Sequence, residues 1–141
     1  MKISSRISLV ISLLSIIAVP TSSYAADRSK ARIFIVEPVN GAKVPTTFTV
    51  KFGAAGVEIA PAGTNKPNSG HHHLLIDTET LPDLHKPLPS SPNLVHFGKA
   101  QTETQITLTP GKHTLQLVLG DYMHVPGDSP VISEKITVNV Q

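Results

Sequence analysis

His71, His72 and His73 stand side by side immediately before the apolar run Leu74-Leu75-Ile76, in a chain of 141 residues with 7 histidines and no cysteine. Imidazole is the commonest protein ligand for zinc and copper, and it is the side chain that titrates nearest neutral pH. Residues two apart on a strand project from one face. His71 and His73 can therefore reach a single metal ion together, with His96 and His124 from other segments completing the set. Zinc takes neutral imidazole nitrogens in tetrahedral array, at about 2.0–2.1 Å. Copper(II) prefers tetragonal nitrogen and oxygen sets, and the thioether of Met123 can serve copper(I). A blue-copper centre is excluded, because it requires a cysteine ligand. Asp121 is a further candidate, either as a ligand or as the acceptor that holds an imidazole in one tautomer. Coordination needs neutral rings, so affinity is expected to fall below about pH 6.5.

The same residues admit a reading without metal. His72, an additional ligand candidate by type, shares the face of Leu74 and Ile76 and reads rather as a buried, hydrogen-bonded core residue. His71 and His73 could bond backbone carbonyls of neighbouring loops and staple them down. His113 pairs most naturally with Asp77 or a turn carbonyl. In that case the protein is an interaction module for a cell-envelope protein or glycan, with the histidines fixing two long loops.

Catalysis finds little support. No serine sits in a G-x-S-x-G elbow, and no glycine-rich phosphate loop follows a strand. Glu58, Glu79, Asp83 and Glu103 are scattered, so paired-carboxylate chemistry cannot be argued from spacing.

The N-terminus reads as an export signal over residues 1–25. Lys2 and Arg6 precede an apolar stretch from Ile7 to Val19, Pro20 breaks it, and Ser23-Tyr24-Ala25 supplies the small-x-small cleavage pattern. The stretch is short of the roughly 20 residues a membrane span needs. A Sec-type route to the periplasm or exterior, with no stable membrane span after cleavage, is the expectation. Cleavage removes Lys2 and Arg6 from the 12 basic residues and leaves them equal to the 10 acidic ones. A neutral mature chain lacks the basic stripe that nucleic-acid binding wants. Residues 26–141 suit one domain, which must bury its core without disulfides.

Period-two alternation is the dominant pattern of that domain. Phe48, Val50 and Phe52 alternate with Thr47, Thr49 and Lys51, and Leu115, Leu117 and Leu119 repeat the rhythm after the Pro110-Gly111 turn. Strands are predicted over Ile33–Val36, Phe48–Phe52, His71–Asp77, Thr102–Leu108, His113–Leu119 and Val131–Val140, with Glu134 marking a bulge or a strand end. About six or seven strands separated by Gly/Pro turns define an all-β, immunoglobulin-like antiparallel sandwich. Two long segments, 54–70 and 78–100, flank the histidine strand, and loops beyond about 12–15 residues are usually functional or disordered. The proline-rich second segment is expected to cover Leu75 and Val118 on the outer face of their sheet. In such a sandwich His71, His72, His73, His96 and His124 gather at one rim, and His113 lies at the opposite end.

Gly70-His71-His72-His73-Leu74-Leu75-Ile76-Asp77 resembles the signature of a family of small secreted bacterial proteins known as a domain of unknown function. The segment His96-Phe97-Gly98-Lys99-Ala100-Gln101-Thr102-Glu103 is similar to a second motif of that family. So are Ala60 to Thr64, Pro110 to Leu115, Leu119-Gly120-Asp121, and His124-Val125-Pro126. The resemblance spans essentially all of residues 26–141 and implies export and an immunoglobulin-like sandwich, with no established activity attached. Family members often carry a second histidine after the Val-Pro pair. Gly127 stands there in this chain, which weakens any ligand role carried over to that loop.

Overall fold

Alternation along the chain accounts for most strands in the computed structural model, which describes residues 30–141. The expected export signal, residues 1–25, lies outside the described residues. The strands are β1 (Arg32–Glu37), β2 (Lys43–Val44), β3 (Thr47–Ala55), β4 (Glu58–Ile59), β5 (Ser69–Ile76), β6 (Leu94–His96), β7 (Glu103–Thr107), β8 (Gly111–Gly120) and β9 (Ile136–Val140). In β3, Phe48, Val50 and Phe52 are buried while Thr47, Thr49 and Lys51 face solvent, as the pattern predicts. No helix among the described residues is long and apolar enough to cross a membrane.

Two sheets stack to form an immunoglobulin-like sandwich. One has the order β1-β3-β7, and the other runs β2-β9-β8-β5-β4, with β6 also paired to β5. In the second sheet β8 pairs antiparallel with β5 on one side and with β9 on the other. Between the sheets, Val50 and Phe52 meet Leu74, Ile76, Leu115, Leu117 and Val138 in one apolar core. Each such side chain, fully buried, contributes about 1.5–3 kcal/mol.

All eight residues of β5 are buried, so both its faces are covered. Its inner face packs on the first sheet. Its outer face is covered by residues from the proline-rich segment: Leu75 and Val118 pack with Leu88 and Leu94, and Leu84 lies against them. That segment is fastened through its backbone. Leu88 N–H donates to the His124 carbonyl at 3.0 Å, and Gly127 N–H donates to the Leu84 carbonyl at 2.8 Å.

Most strand ends shift by one or two residues, and two differences from expectation are larger. The last strand begins at Ile136 rather than Val131, because the Ser133 hydroxyl accepts the Leu117 N–H and Ile132 makes only an isolated bridge to Val118. The irregularity at Glu134 marks that strand start. The second difference bears on the site. His96 was expected in a loop ahead of a strand, yet it ends β6, a short strand on the edge of β5.

Candidate functional site: a four-histidine cluster

Period-two geometry on β5 turns His71, His73 and Leu75 outward and His72, Leu74 and Ile76 inward. Antiparallel pairing then chooses their neighbours, since residues directly opposite share a face. His73 stands opposite Val118 of β8 on one side and opposite His96 of β6 on the other. His71 stands opposite Gly120. The chain turns immediately after Gly120 and brings His124 back over the same face.

Four imidazoles meet there. Ring centres lie 4.8 Å apart for His71 and His73, 4.9 Å for His71 and His96, and 5.1 Å for His73 and His96. His124 is 4.7 Å from His96, 4.9 Å from His71 and 5.9 Å from His73. His71, His73 and His96 each offer a nitrogen, and these atoms all lie within 4.8 Å of one another. This trio could hold a metal ion, and the ring of His124 completes the cluster from the loop.

The face that carries the cluster is covered. His71 and His73 are 0% and 1% exposed. Both ring nitrogens of each, with Nε2 of His96, are buried and have no partner at hydrogen-bonding geometry. Burial pushes His71 down to about 4, helped by the neighbouring rings of His124 and His96 and opposed by the negative charge of Asp121. Burial also pushes His73 down to about 3, with His71, His96 and His124 adding to the effect and the His71 backbone acting weakly against it. His96 is lowered by burial and by His124. Protein burial disfavours the imidazolium form, so His71 and His73 stay neutral well below the pH of about 6.5 at which free imidazole gains its proton.

Two glycines make the space. A Cβ on Gly120 would lie 2.7 Å from Cε1 of His73 and 3.1 Å from Cα of His124. A Cβ on Gly98 would overlap the ring of His96. Neither role is visible in the linear chain, because it depends on which strands become neighbours.

The turn carrying His124 is built around Asp121. Its Oδ1 accepts the N–H groups of Met123 at 2.8 Å and Val125 at 2.9 Å, and its carbonyl accepts the His124 N–H at 2.9 Å. Asp121 therefore shapes the turn, and no imidazole bonds to its carboxylate among the described residues. The signal for this was present in the sequence, since an Asp side chain commonly bonds backbone two residues on. His124 itself adopts φ 70°, in the left-handed region that non-glycine residues seldom occupy. Met123 is 55% exposed beside it.

His72 is a core residue, as its face predicts, with its ring centre 5.2 Å from that of Phe52. The expected hydrogen bonds are absent: neither of its nitrogens has a partner, because the surroundings are apolar side chains. Burial alone lowers it to about 4. His113 lies at the other end of β8, where its Nδ1 is 2.7 Å from Asp77 Oδ2 and its Nε2 is 2.8 Å from the Thr109 carbonyl. Both partners named for it from sequence are thus engaged. His85 contacts Asp128 at 3.2 Å on the surface.

The loops around the cluster are held by backbone, not by imidazoles. Ala62 N–H donates to the Gly98 carbonyl and Gly63 N–H to the Tyr122 carbonyl, each at 3.0 Å. With the bonds of Leu88 and Gly127, these fasten both long segments without any histidine ring.

Sheet order and cluster together define a class: an immunoglobulin-like β-sandwich with four histidine rings gathered on the outer face of one sheet, two of them buried. A family model matches residues 50–141, which include all seven histidines, and the chain belongs to that family, a domain of unknown function (DUF4399). None of the curated proteins matches it. Among solved structures, an endo-beta-1,4-mannanase from Thermotoga petrophila is 13% identical, with 79% of this chain and 20% of that chain covered and a TM-score of 0.46. The chain thus spans about a fifth of the mannanase. Fibronectin(III)-like modules of CbhA from Clostridium thermocellum are 12% identical, with 77% and 92% covered and a TM-score of 0.38.

Proposed function

We propose that the chain is an exported binding protein that captures a transition-metal ion, copper or zinc, through His71, His73 and His96, with His124 as a fourth ligand. One observation carries this reading: five ring nitrogens of His71, His73 and His96 are buried, close together and without hydrogen-bond partners. A buried polar group left unsatisfied costs about 1–3 kcal/mol. Neutral imidazoles converging in this way have unused lone pairs, and a metal ion is the partner that can take several at once. The rival role of loop staple loses its motive, since backbone hydrogen bonds already fasten the loops. Export to the periplasm or exterior rests on the pattern from Lys2 to Ala25.

Metal content measured by mass spectrometry on untagged protein from the periplasmic fraction tests the reading. Stoichiometric copper or zinc, lost in His73→Ala, is the expected result. Protein recovered from the periplasm without metal, and showing no binding when titrated with copper and zinc, would sink it.

A further inference from the structure

The shape of the cluster discriminates between ions. Five of the ring-centre separations fall between 4.7 and 5.1 Å and the sixth, His73 to His124, is 5.9 Å. An imidazole bound at about 2.0–2.1 Å has its ring centre about 3.2 Å from the ion, so four rings placed tetrahedrally have centres about 5.2 Å apart. A square-planar set would instead show four separations of about 4.5 Å and two opposed ones of about 6.4 Å. Here the pair opposed to His73 and His124 is His71 and His96, at 4.9 Å. The four ring centres are disposed tetrahedrally and the nitrogens of His71, His73 and His96 converge; with His124 as fourth ligand this disposition suits a filled d shell and not the tetragonal preference of copper(II).

Charge separates the two ions that remain. All four candidate ligands are imidazoles, which bring no negative charge, and the sequence holds no cysteine to supply a thiolate. The nearby carboxylate of Asp121 has Oδ1 committed to two backbone N–H groups. An ion placed against His71 and His73 therefore brings its charge into a buried site beside the single negative charge of Asp121, which offsets a monovalent ion and leaves the second charge of a divalent one uncompensated. The cost of desolvating an ion rises with the square of its charge, so a monovalent ion bears about a quarter of the penalty of a divalent one. His96 and His124 remain partly exposed and form the way in, with the soft thioether of Met123 on the surface beside His124.

We propose that the four-histidine cluster is selective for copper(I) over zinc(II) and copper(II). This rests on the metal-capture reading above and adds the identity of the ion.

The test is a set of competition titrations on stripped, untagged protein under anaerobic conditions. Copper(I) is buffered with bicinchoninate, and zinc(II) and copper(II) with chelators of known affinity. Copper(I) is expected to bind at least about 100-fold more tightly than zinc(II), given the uncompensated second charge. His96→Asp places a carboxylate in the donor set and should lower that ratio at least tenfold; if this variant does not fold, His124→Asp serves instead. Zinc(II) binding as tightly as copper(I) would overturn the selectivity while leaving metal capture in place. Copper(II) binding more tightly than copper(I), with a tetragonal electron-spin resonance signature, would overturn the tetrahedral assignment. An unchanged ratio in the carboxylate variant would overturn the charge argument. Failure of all three ions to bind would remove the metal-capture reading itself.

Discussion

His73 on β5 and His96 on β6 stand directly opposite each other across an antiparallel pair, with ring centres 5.1 Å apart. A register shift of one residue would turn one ring into the core and abolish the cluster. The pairing of Leu75 with Leu94, two residues along, holds that register, because both side chains are buried under the proline-rich segment.

Removing either ring should therefore abolish metal binding while the fold survives. His73→Ala loses a side chain that makes no hydrogen bond, so the cavity cost is partly offset by relief of an unsatisfied polar group. Saturating metal should raise the wild-type unfolding free energy by about 2.7 kcal/mol at a hundredfold excess over Kd. For a domain of this size each kcal/mol moves Tm by roughly 4–8 °C. Differential scanning fluorimetry with and without metal should show that rise in wild type and none in His73→Ala or His96→Ala. A metal-dependent rise that persists in both variants would place the ligands elsewhere.

Gly120→Ala should weaken binding without altering any ligand. Its new methyl group would press on Cε1 of His73 and on the backbone of His124, the latter already in a left-handed conformation. Overpacking of this kind costs about 1–3 kcal/mol. The expected outcome is a lower Tm and an affinity reduced at least about tenfold, read by the same titration. Unchanged affinity would show that ring placement tolerates the shift.

The metal-free protein should lose stability as the medium becomes acidic. His71 and His72 are lowered to about 4 and His73 to about 3, all chiefly by burial. The unfolded chain takes up these protons as pH falls through about 6.5, whereas the folded chain resists them until its lowered values are reached. Over that window the unfolded state binds more protons, so stability falls with pH by up to about 1.4 kcal/mol per unit for each ring. His113 works with the opposite sign: its pKa is raised, first by its hydrogen bond to Asp77, so its contribution is present below about 6.5 and fades as pH rises through its raised value. Three rings outweigh one. Urea denaturation of stripped protein should show an unfolding free energy that falls by a few kcal/mol, and a midpoint that falls with it, between pH 7 and pH 5, about as three rings at that slope require. A midpoint flat across this range would contradict the burial of the neutral rings.

At the opposite end of β8, Asp77→Asn should isolate a purely structural contact. Asp77 has φ 51°, which asparagine also tolerates, so the backbone need not change. The substitution removes the charge that faces His113 while keeping an oxygen to accept the Thr114 N–H. Because Asp77 is partly open to solvent, a loss of about 1 kcal/mol is expected rather than the value of a fully buried ion pair. The His113 titration, followed by NMR, should move to lower pH, and metal affinity should be unaffected. A loss of metal binding in this variant would tie the two ends of the sandwich together in a way their separation argues against.

Local pattern was enough to separate the two faces of β5. A period of two is a property of one extended segment, so the sequence alone determined that His72 shares the core with Leu74 and Ile76 while His71, His73 and Leu75 lie opposite. It also determined the all-β class, the covering of Leu75 and Val118, and both partners of His113. What it did not contain was distance between segments. β6 has only three residues and follows a run of prolines, too short for alternation to stand out, although Leu94-Val95-His96-Phe97 does alternate outward and inward. The nearness of His96 to His73 comes from strand pairing, and that of His124 comes from a turn organised by Asp121. The burial that strips these rings of water arises only when the proline-rich segment closes over the sheet. Residue types and spacing thus chose the candidate ligands, whereas register and loop packing, which depend on contacts between distant parts of the chain, decided that they converge.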